Sequence, residues 1–198
     1  MMHFIFDIGN VLLRFQPVPF LESLFDDRTV IDAMHQTVFC SPEWLQMDQG
    51  LLTHQKAVEL FCTREPRFQS AVRHTMERLP DMLAPIPETV ALLPAIKGAG
   101  HKLYYLSNFH HELRNYVLAQ CPFFDLFDGG VFSCDVKQIK PDPVIYRDLL
   151  EGYGLAPQDC VFFDDMEENV AAAKALGIHG VLFTGAGCVE AVLDAVTP

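Results

Sequence analysis

Near the start of the sequence, His3-Phe-Ile-Phe-Asp7 is an apolar run that ends on a carboxylate and is followed by the turn Ile8-Gly-Asn-Val11. Uninterrupted apolar runs of this length are typical of parallel strands that are buried on both faces. Four later runs have the same form, at residues 102–107, 130–133, 160–164 and 178–183. The pattern therefore predicts five buried parallel strands.

Helical patterns separate most of these runs. Apolar residues recur at helical spacing over residues 88–98, 109–119, 143–153 and 167–176. Alternating strands and helices predict an α/β fold, with a doubly wound, Rossmann-like parallel sheet. In such sheets ligands bind beyond the carboxyl ends of the strands, where Asp7, Ser107 and Asp164 are expected to lie.

Residues 17–85 interrupt this alternation, because their apolar residues follow helical spacing and no strand is evident. Thr53, after Gln49-Gly50, is a suitable N-cap for one of these helices. We expect residues 17–85 to form a small helical cap inserted after the first strand, and residues 1–16 and 86–198 to form the α/β core. A single helical layer packed beside the sheet is the alternative.

Composition excludes several classes of protein. The 198 residues are 50% hydrophobic and 20% charged, as in a globular protein, and the net charge of -12 disfavours nucleic-acid and anionic-membrane partners. The first seven residues have the pattern of neither a signal peptide nor a membrane span, so a cytoplasmic location is expected. Six scattered cysteines without a C-x-x-C pair predict buried free thiols rather than disulfides or a zinc site. The sequence does not distinguish a monomer from a homodimer.

Polar residues follow the strands at the places where a phosphate could be held. Ser107-Asn108 precedes a predicted helix, and a hydroxyl, an amide and helix N-terminal amides suit phosphoryl oxygens, although an ordinary N-cap has the same sequence. Lys140 lies between Ile139 and the Pro141-Asp142-Pro143 segment, whose prolines restrict the loop. The lysine could therefore be held as a point charge on phosphate.

Asp164-Asp165 stands directly at the end of an apolar run and is followed by Glu167 and Glu168. Adjacent carboxylates repel one another unless a cation shares them, and a hard divalent ion such as Mg²⁺ prefers oxygen ligands. A solvated acidic helix start is the alternative and explains the two glutamates well. It explains the aspartate pair less well.

Four segments resemble, in order and spacing, the four motifs of the haloacid dehalogenase superfamily: Phe6-Asp-Ile-Gly-Asn-Val11, Leu106-Ser-Asn108, Lys140-Pro-Asp142 and Phe163-Asp-Asp165 followed by Asn169. The resemblance extends over residues 4–183. It is strongest to the branch with bacterial sugar-phosphate phosphatases of the α-glucose-1-phosphate type and the N-terminal phosphatase domain of soluble epoxide hydrolase. That branch also carries a helical cap after the first motif.

The resemblance implies a Mg²⁺-dependent hydrolysis of a small phosphate ester, such as a sugar phosphate, through an aspartyl-phosphate that water then attacks. It makes Asp7 the nucleophile, and it assigns phosphate binding to Ser107, Asn108 and Lys140. It also implies metal ligands: the carboxylates of Asp7 and Asp165, the backbone carbonyl of Gly9, and Asp164 in a supporting or water-mediated position.

Gly9 is the departure from the family pattern, because most family phosphatases have a second aspartate there that protonates the leaving oxygen and later activates water. Loss of such a group typically costs about 10²–10⁴ in rate. His110 and the segment around Asp48 are the first residues to consider as substitutes.

Three rival functions remain. A dehalogenase would attack carbon with the same aspartate, but it would gain little from the acidic pair at 164–165. A phosphomutase needs the acid/base group that Gly9 lacks. A catalytically inactive member that binds a phosphorylated ligand or a protein is supported only by Gly9. The sequence does not identify the substrate.

Overall fold

The computed structural model describes residues 1–197, which form a five-stranded parallel sheet in the order β3-β2-β1-β4-β5. The strands are β1 (His3–Phe6), β2 (Lys102–Ser107), β3 (Gly129–Phe132), β4 (Cys160–Asp164) and β5 (His179–Leu182). The first strand along the chain lies in the middle of the sheet, between β2 and β4. The strand order therefore reverses at β1, and such a switch point is where ligands bind in doubly wound sheets.

The central strands are apolar because helices cover both faces of the sheet. Phe4 and Phe6 belong to one buried cluster, whereas Ile5 points to the other face and packs in a second cluster. Phe6 stacks on Phe163 of β4, with ring centroids 5.1 Å apart. Side chains of successive residues alternate between the faces, so each face of β1 and β4 contributes to a hydrophobic layer.

The helices on the core are α6 (Pro87–Val90), α7 (Leu93–Gly98), α8 (His111–Gln120), α9 (Ser133–Val136), α10 (Pro143–Tyr153), α11 (Glu167–Ala175) and α12 (Ala186–Val196). The prediction of one helix over residues 88–98 was wrong. Two short helices replace it, and Pro94 stands in the first turn of the second, where a missing N–H is tolerated. Ser133, expected in the third strand, begins α9.

Helix α12 was not predicted from the sequence. Val189 is fully buried, and Val192, Leu193 and Val196 pack against the same hydrophobic cluster. These positions are spaced i, i+3, i+4 and i+7, which is the signal of an amphipathic helix. The spacing would have been sufficient to predict it.

Between β1 and β2 the structure is helical, as expected: α1 (Pro17–Leu24), α2 (Arg28–Met34), α3 (Pro42–Asp48), α4 (His54–Arg64) and α5 (Gln69–Glu77). Thr53 caps α4 and accepts a hydrogen bond from the Lys56 N–H, as predicted. The helix expected over residues 30–39 is α2 continued by a π-helical turn at His35–Phe39.

The segment leaves and rejoins the core at one place. The Arg14 N–H donates to the Ala84 carbonyl, and the Ile86 N–H donates to the Leu12 carbonyl, both at 2.8 Å. Its buried side chains nevertheless belong to the same hydrophobic cluster as Phe4 and Phe6.

All six cysteines are free. Four are buried as expected and Cys188 is half-buried, but Cys40 is exposed, so burial was wrongly expected there. Among residues 1–197, no helix is both long enough and apolar enough to cross a membrane.

Candidate active site

Asp7 lies directly after β1, at the point where the strand order reverses. Its backbone N–H donates to the Phe163 carbonyl at 2.9 Å, which continues the pairing with β4 by one residue. The following turn is closed by hydrogen bonds from the Leu12 and Leu13 N–H groups to the Ile8 carbonyl, both at 2.9 Å. The Asp7 carboxylate is thereby held at the carboxyl end of the sheet and is buried.

Ser107 and Lys140 both contact the Asp7 carboxylate. The Ser107 hydroxyl donates to Asp7 Oδ1 at 2.6 Å, and Lys140 Nζ lies 2.7 Å from the same oxygen. All three side chains are buried. The structure therefore brings together the predicted nucleophile and two of its three predicted phosphate-binding partners.

Asn108 contacts Lys140 through the backbone. The Lys140 N–H donates to Asn108 Oδ1 at 2.8 Å, and Asn108 Nδ2 donates to the Lys140 carbonyl at 3.0 Å. Both ends of the Asn108 amide are therefore engaged with the lysine loop. In this arrangement Asn108 positions Lys140, a function that its motif did not reveal.

The two adjacent aspartates differ in their surroundings. Asp164 is fully buried, accepts hydrogen bonds from Lys140 Nζ at 2.6 Å and from Asn169 Nδ2 at 2.9 and 3.1 Å, and also accepts from the Met166 N–H. Asp165 is only partly buried and lines the cavity beside Asp7, and it accepts a hydrogen bond from Asn10 Nδ2 at 3.2 Å. Asp165 is thus the more accessible of the two.

Three carboxylates lie close together, and one buried cation, Lys140, contacts two of them. Oxygen atoms of Asp7, Asp164 and Asp165 lie within 4.8 Å of one another, with Lys140 among them. Burial raises the pKa of Asp7 to about 6, and the Asp164 charge adds to this effect while Lys140 opposes it. Burial, followed by the Asp164 charge, also raises the pKa of Asp165. The group has more negative charge than one lysine can neutralise, so its oxygens fit a hard divalent cation.

A second cluster of potential metal ligands fits a metal less well. His111, Cys134 and Asp135 approach one another, but Arg114 already lies 3.3 Å from the Asp135 carboxylate. Burial raises the pKa of the Cys134 thiol to about 12, so the thiolate that a metal requires is disfavoured.

A cavity of about 230 Å³ opens above Asp7. Polar groups form one part of its lining, namely Asp7, Gly9, Asn10, Asp48, Ser107, Asn108, His110, Lys140, Asp165 and Asn169. Apolar side chains form the rest, namely Phe15, Trp44, Phe109, Leu113 and Met166. Phe15, Phe109, Leu113 and Met166 were not identified from the sequence, because nothing in their local pattern separates a cavity wall from ordinary core.

Asp48 and His110 are buried polar residues of this lining. Burial raises the pKa of Asp48 to about 8, and the Asp7 charge adds to the increase, while hydrogen bonding by the Trp44 side chain and the His110 backbone opposes it. Burial, with smaller contributions from His54 and His111, lowers the pKa of His110 to about 3. At neutral pH both side chains are therefore uncharged.

Comparisons with known proteins agree with this geometry. A family model described as haloacid dehalogenase-like hydrolase matches residues 1–177. The chain is 29% identical to the sesquiterpene phosphatase astK of Aspergillus oryzae, over 94% of this chain and 92% of that protein. It is 28% identical to a phosphorylated carbohydrates phosphatase of Thermotoga maritima, over 89% of this chain and 82% of that protein.

The fold also matches a solved structure. A haloacid dehalogenase family enzyme of Bacteroides thetaiotaomicron, in complex with magnesium and inorganic phosphate, superposes with a TM-score of 0.74. The match covers 93% of this chain and 95% of that chain, at 19% sequence identity. This likeness confirms the predicted Rossmann-like α/β fold.

Proposed function

The chain belongs to the haloacid dehalogenase-like hydrolases, and on that basis we propose that it is a Mg²⁺-dependent phosphatase that acts on a small phosphorylated metabolite. The observation that carries this function is the placement of Lys140 and Ser107 on the Asp7 carboxylate, beside the half-buried Asp165. A buried nucleophile, a fixed cation and an accessible acidic group are the parts that phosphoryl transfer through an aspartyl-phosphate requires.

Asp7 is the nucleophile in this reaction, and its attack on phosphorus forms the aspartyl-phosphate. Lys140 holds the Asp7 carboxylate and stabilises the negative phosphoryl oxygens, and Ser107 orients the carboxylate by its hydrogen bond. Asn108 keeps the Lys140 loop in place. Asp7, Asp165 and the carbonyl of Gly9 would hold Mg²⁺, with Asp164 in support. The ion would neutralise charge on the transferring group.

We assign residues 17–85 to a cap domain and residues 1–16 and 86–198 to the core. The paired entry and exit of the segment, through Arg14 with Ala84 and Leu12 with Ile86, support this division. Trp44 and Asp48 of α3 line the cavity opposite the core residues. The cap would therefore contact the leaving group of the substrate, while the core binds the phosphate.

The leaving group has two candidate chemistries. A sugar phosphate agrees with the polar part of the lining and with the Thermotoga relative that acts on phosphorylated carbohydrates. An apolar alcohol, such as an isoprenoid, agrees with the wall of Phe15, Trp44 and Phe109 and with the sesquiterpene phosphatase. Apolar surface in the wall favours the second class if the leaving group is buried there.

Carbon–halogen hydrolysis has less support in the site. It needs no cation to neutralise a phosphoryl group, and the accessible Asp165 would then add only repulsion near Asp7. A binding protein without activity has no need of Lys140 against the Asp7 carboxylate.

An aryl phosphate is the most informative first substrate, because its good leaving group depends least on the general acid that is missing at position 9. We expect phosphate release that requires added Mg²⁺ and stops in excess chelator, and that is lost in Asp7→Asn. The exposed residue Asp26 supplies the matched control, Asp26→Asn. Full turnover in chelator would refute metal dependence, and release of halide but not phosphate would identify a dehalogenase. A panel of sugar, alkyl and isoprenoid phosphates then distinguishes the two leaving groups.

A further inference from the structure

Gly9 leaves the proposed reaction without the usual proton donor. A Cβ built on Gly9 meets nothing closer than Phe15 Cβ, at 3.8 Å, so the position has space for a side chain that the sequence does not supply. An alkoxide is a poor leaving group unless a proton reaches its oxygen as the bond to phosphorus breaks. Another group in the cavity must therefore supply this proton.

Asp48 is placed to act there. It is the last residue of α3, one turn after Trp44, and both side chains line the cavity that contains Asp7. Asp48 is only 7% exposed, so its carboxyl group is screened from bulk water on the other sides. It approaches the site from the cap, where the leaving group is expected to lie.

The core holds this end of α3 in position. The Ser133 hydroxyl donates a hydrogen bond to the Asp48 carbonyl, and Ser133 itself accepts one from the Phe109 N–H at 2.8 Å. Gly50, two residues later, lies against the backbone of Cys134, so close that a Cβ would be 2.3 Å from the Cys134 carbonyl oxygen. The cap carboxyl group is therefore fixed relative to β3 and hence to the catalytic end of the sheet.

The ionisable groups that share these surroundings are Asp7, His110, Lys140 and Asp165 of the cavity lining and Cys134 of α9. Lys140 is the cation among them and is paired with Asp7 and Asp164, whereas His110 is uncharged at neutral pH because its pKa is lowered to about 3. Burial and the Asp7 charge keep Asp48 protonated, with a pKa of about 8. A neutral carboxylic acid can donate a proton, whereas uncharged His110 is the weaker acid of the two.

Resting on the proposed phosphatase function, we propose that Asp48 is the general acid of this enzyme, in place of the carboxylate that is missing at position 9. As the bond from Asp7 to phosphorus forms and the bond from phosphorus to the leaving oxygen breaks, the Asp48 proton passes to that oxygen. The alcohol leaves and Asp48 becomes a carboxylate. Asp48 then takes a proton from the water that attacks phosphorus, the bond to Asp7 breaks, and inorganic phosphate is released with Asp48 protonated again.

The test compares an alkyl with an aryl phosphate in wild type and Asp48→Asn. Asparagine keeps the size but carries no transferable proton, so the ratio of alkyl to aryl kcat/KM, which reports the step that expels the alcohol, should fall by about 10²–10⁴. Asp26→Asn, an exposed change of the same kind in the same helical segment, should keep the wild-type ratio. Equal loss of kcat/KM on both substrates, or no loss, would overturn the acid role, because the later hydrolysis of the shared aspartyl-phosphate does not enter kcat/KM.

A carboxylate introduced at position 9 should rescue the activity lost in Asp48→Asn. Gly9→Asp in the Asp48→Asn background should restore much of the alkyl turnover, because the space beside Gly9 accepts a side chain. If Asp48→Asn does not fold, the acid role of Asp48 can be tested in the wild type by measuring the alkyl-to-aryl ratio as a function of pH. The alkyl-to-aryl ratio should then decline above about pH 8, where Asp48 loses its proton. A ratio unchanged through that pH would refute the assignment.

Two outcomes separate this role from the function on which it rests. Wild type that releases no phosphate from either ester would refute the phosphatase function itself. Wild type that releases phosphate, with the selective alkyl defect in His110→Gln and not in Asp48→Asn, would leave the phosphatase intact and assign the proton to His110.

Discussion

Lys140 Nζ lies 2.7 Å from Asp7 Oδ1, and both side chains are buried at the end of the central strand. The same ammonium lies 2.6 Å from Asp164 Oδ2. Although burial by itself lowers the pKa of Lys140, the charges of Asp7 and Asp164 raise it, so the lysine remains protonated. One cation therefore holds Asp7, the proposed nucleophile, and the acidic loop after β4 together.

Removing that cation should cost both activity and stability. We expect Lys140→Met to abolish phosphate release and to lower the free energy of unfolding by about 3–5 kcal/mol, because two buried carboxylates lose their partner. The loss should be smaller at about pH 5 than at about pH 8, since Asp7 is protonated more readily at the lower pH. Urea unfolding at the two pH values measures the loss of unfolding free energy in each case. Lys56→Met, which removes an exposed pair with Glu59, is the control and should cost at most about 1 kcal/mol.

Asp165→Asn should weaken Mg²⁺ binding and leave the fold intact. The change removes a charge from the accessible carboxylate but keeps its size, and relief of repulsion from Asp164 should preserve or raise thermal stability. Calorimetric Mg²⁺ titration and the melting temperature test this prediction. Asp159→Asn is the matched control, because this exposed residue lies at the opposite end of β4. Equal Mg²⁺ affinities of wild type and Asp165→Asn would remove Asp165 from the proposed ligand set.

Asp48 should make the stability of the wild type depend on pH. Its pKa rises from 3.8 to about 8 on folding, so the folded state binds its proton more tightly between these values. The contribution of Asp48 to stability should accordingly be greatest below the lower value and fall with increasing pH between the two values, by up to about 1.4 kcal/mol per pH unit. The difference in unfolding free energy between wild type and Asp48→Asn isolates this slope, because all other groups are shared. If the unfolding free energies of wild type and Asp48→Asn depend on pH in the same way, the raised pKa of Asp48 is contradicted.

Gly50 is expected to hold the end of α3 against the core. It has φ of +67°, and a Cβ there would meet the Cys134 carbonyl, so Gly50→Ala should destabilise the fold by more than about 1 kcal/mol. It should also lower alkyl more than aryl phosphate turnover, because Asp48 would be displaced. Gly98→Ala is the control: a Cβ there meets nothing within 4 Å, and alanine suits α7 better by about 0.5–1 kcal/mol. If Gly50→Ala displaces α3 but leaves the ratio of alkyl to aryl phosphate turnover unchanged, Gly50 does not act by positioning Asp48.

Much of the fold could be predicted because the strands carry a strong local signal. Central parallel strands are covered on both faces, so runs such as Phe4-Ile-Phe6 and Val161-Phe-Phe163 contain no polar residue. The carboxyl ends of these strands meet at one edge of the sheet, and the motif residues Asp7, Ser107 and Asp164 could therefore be assigned to one site. Element boundaries were less certain, as the division at Pro94 shows, because neighbouring turns compete for the same residues.

The sequence by itself determined the class of fold, the succession of the five strands along the chain, and which polar residues lie at the carboxyl edge of the sheet. Only the tertiary structure decided what each of them contacts: Asp164 pairs with Lys140 and Asn169, Asp165 remains accessible, and Asn108 holds the lysine loop. It also decided that Asp48 is buried in the cavity that contains Asp7. The physical reason is that periodicity reports which face of an element is apolar, whereas hydrogen-bond partners and burial depend on residues about 100 positions away, as in the bond from Ser107 to Asp7.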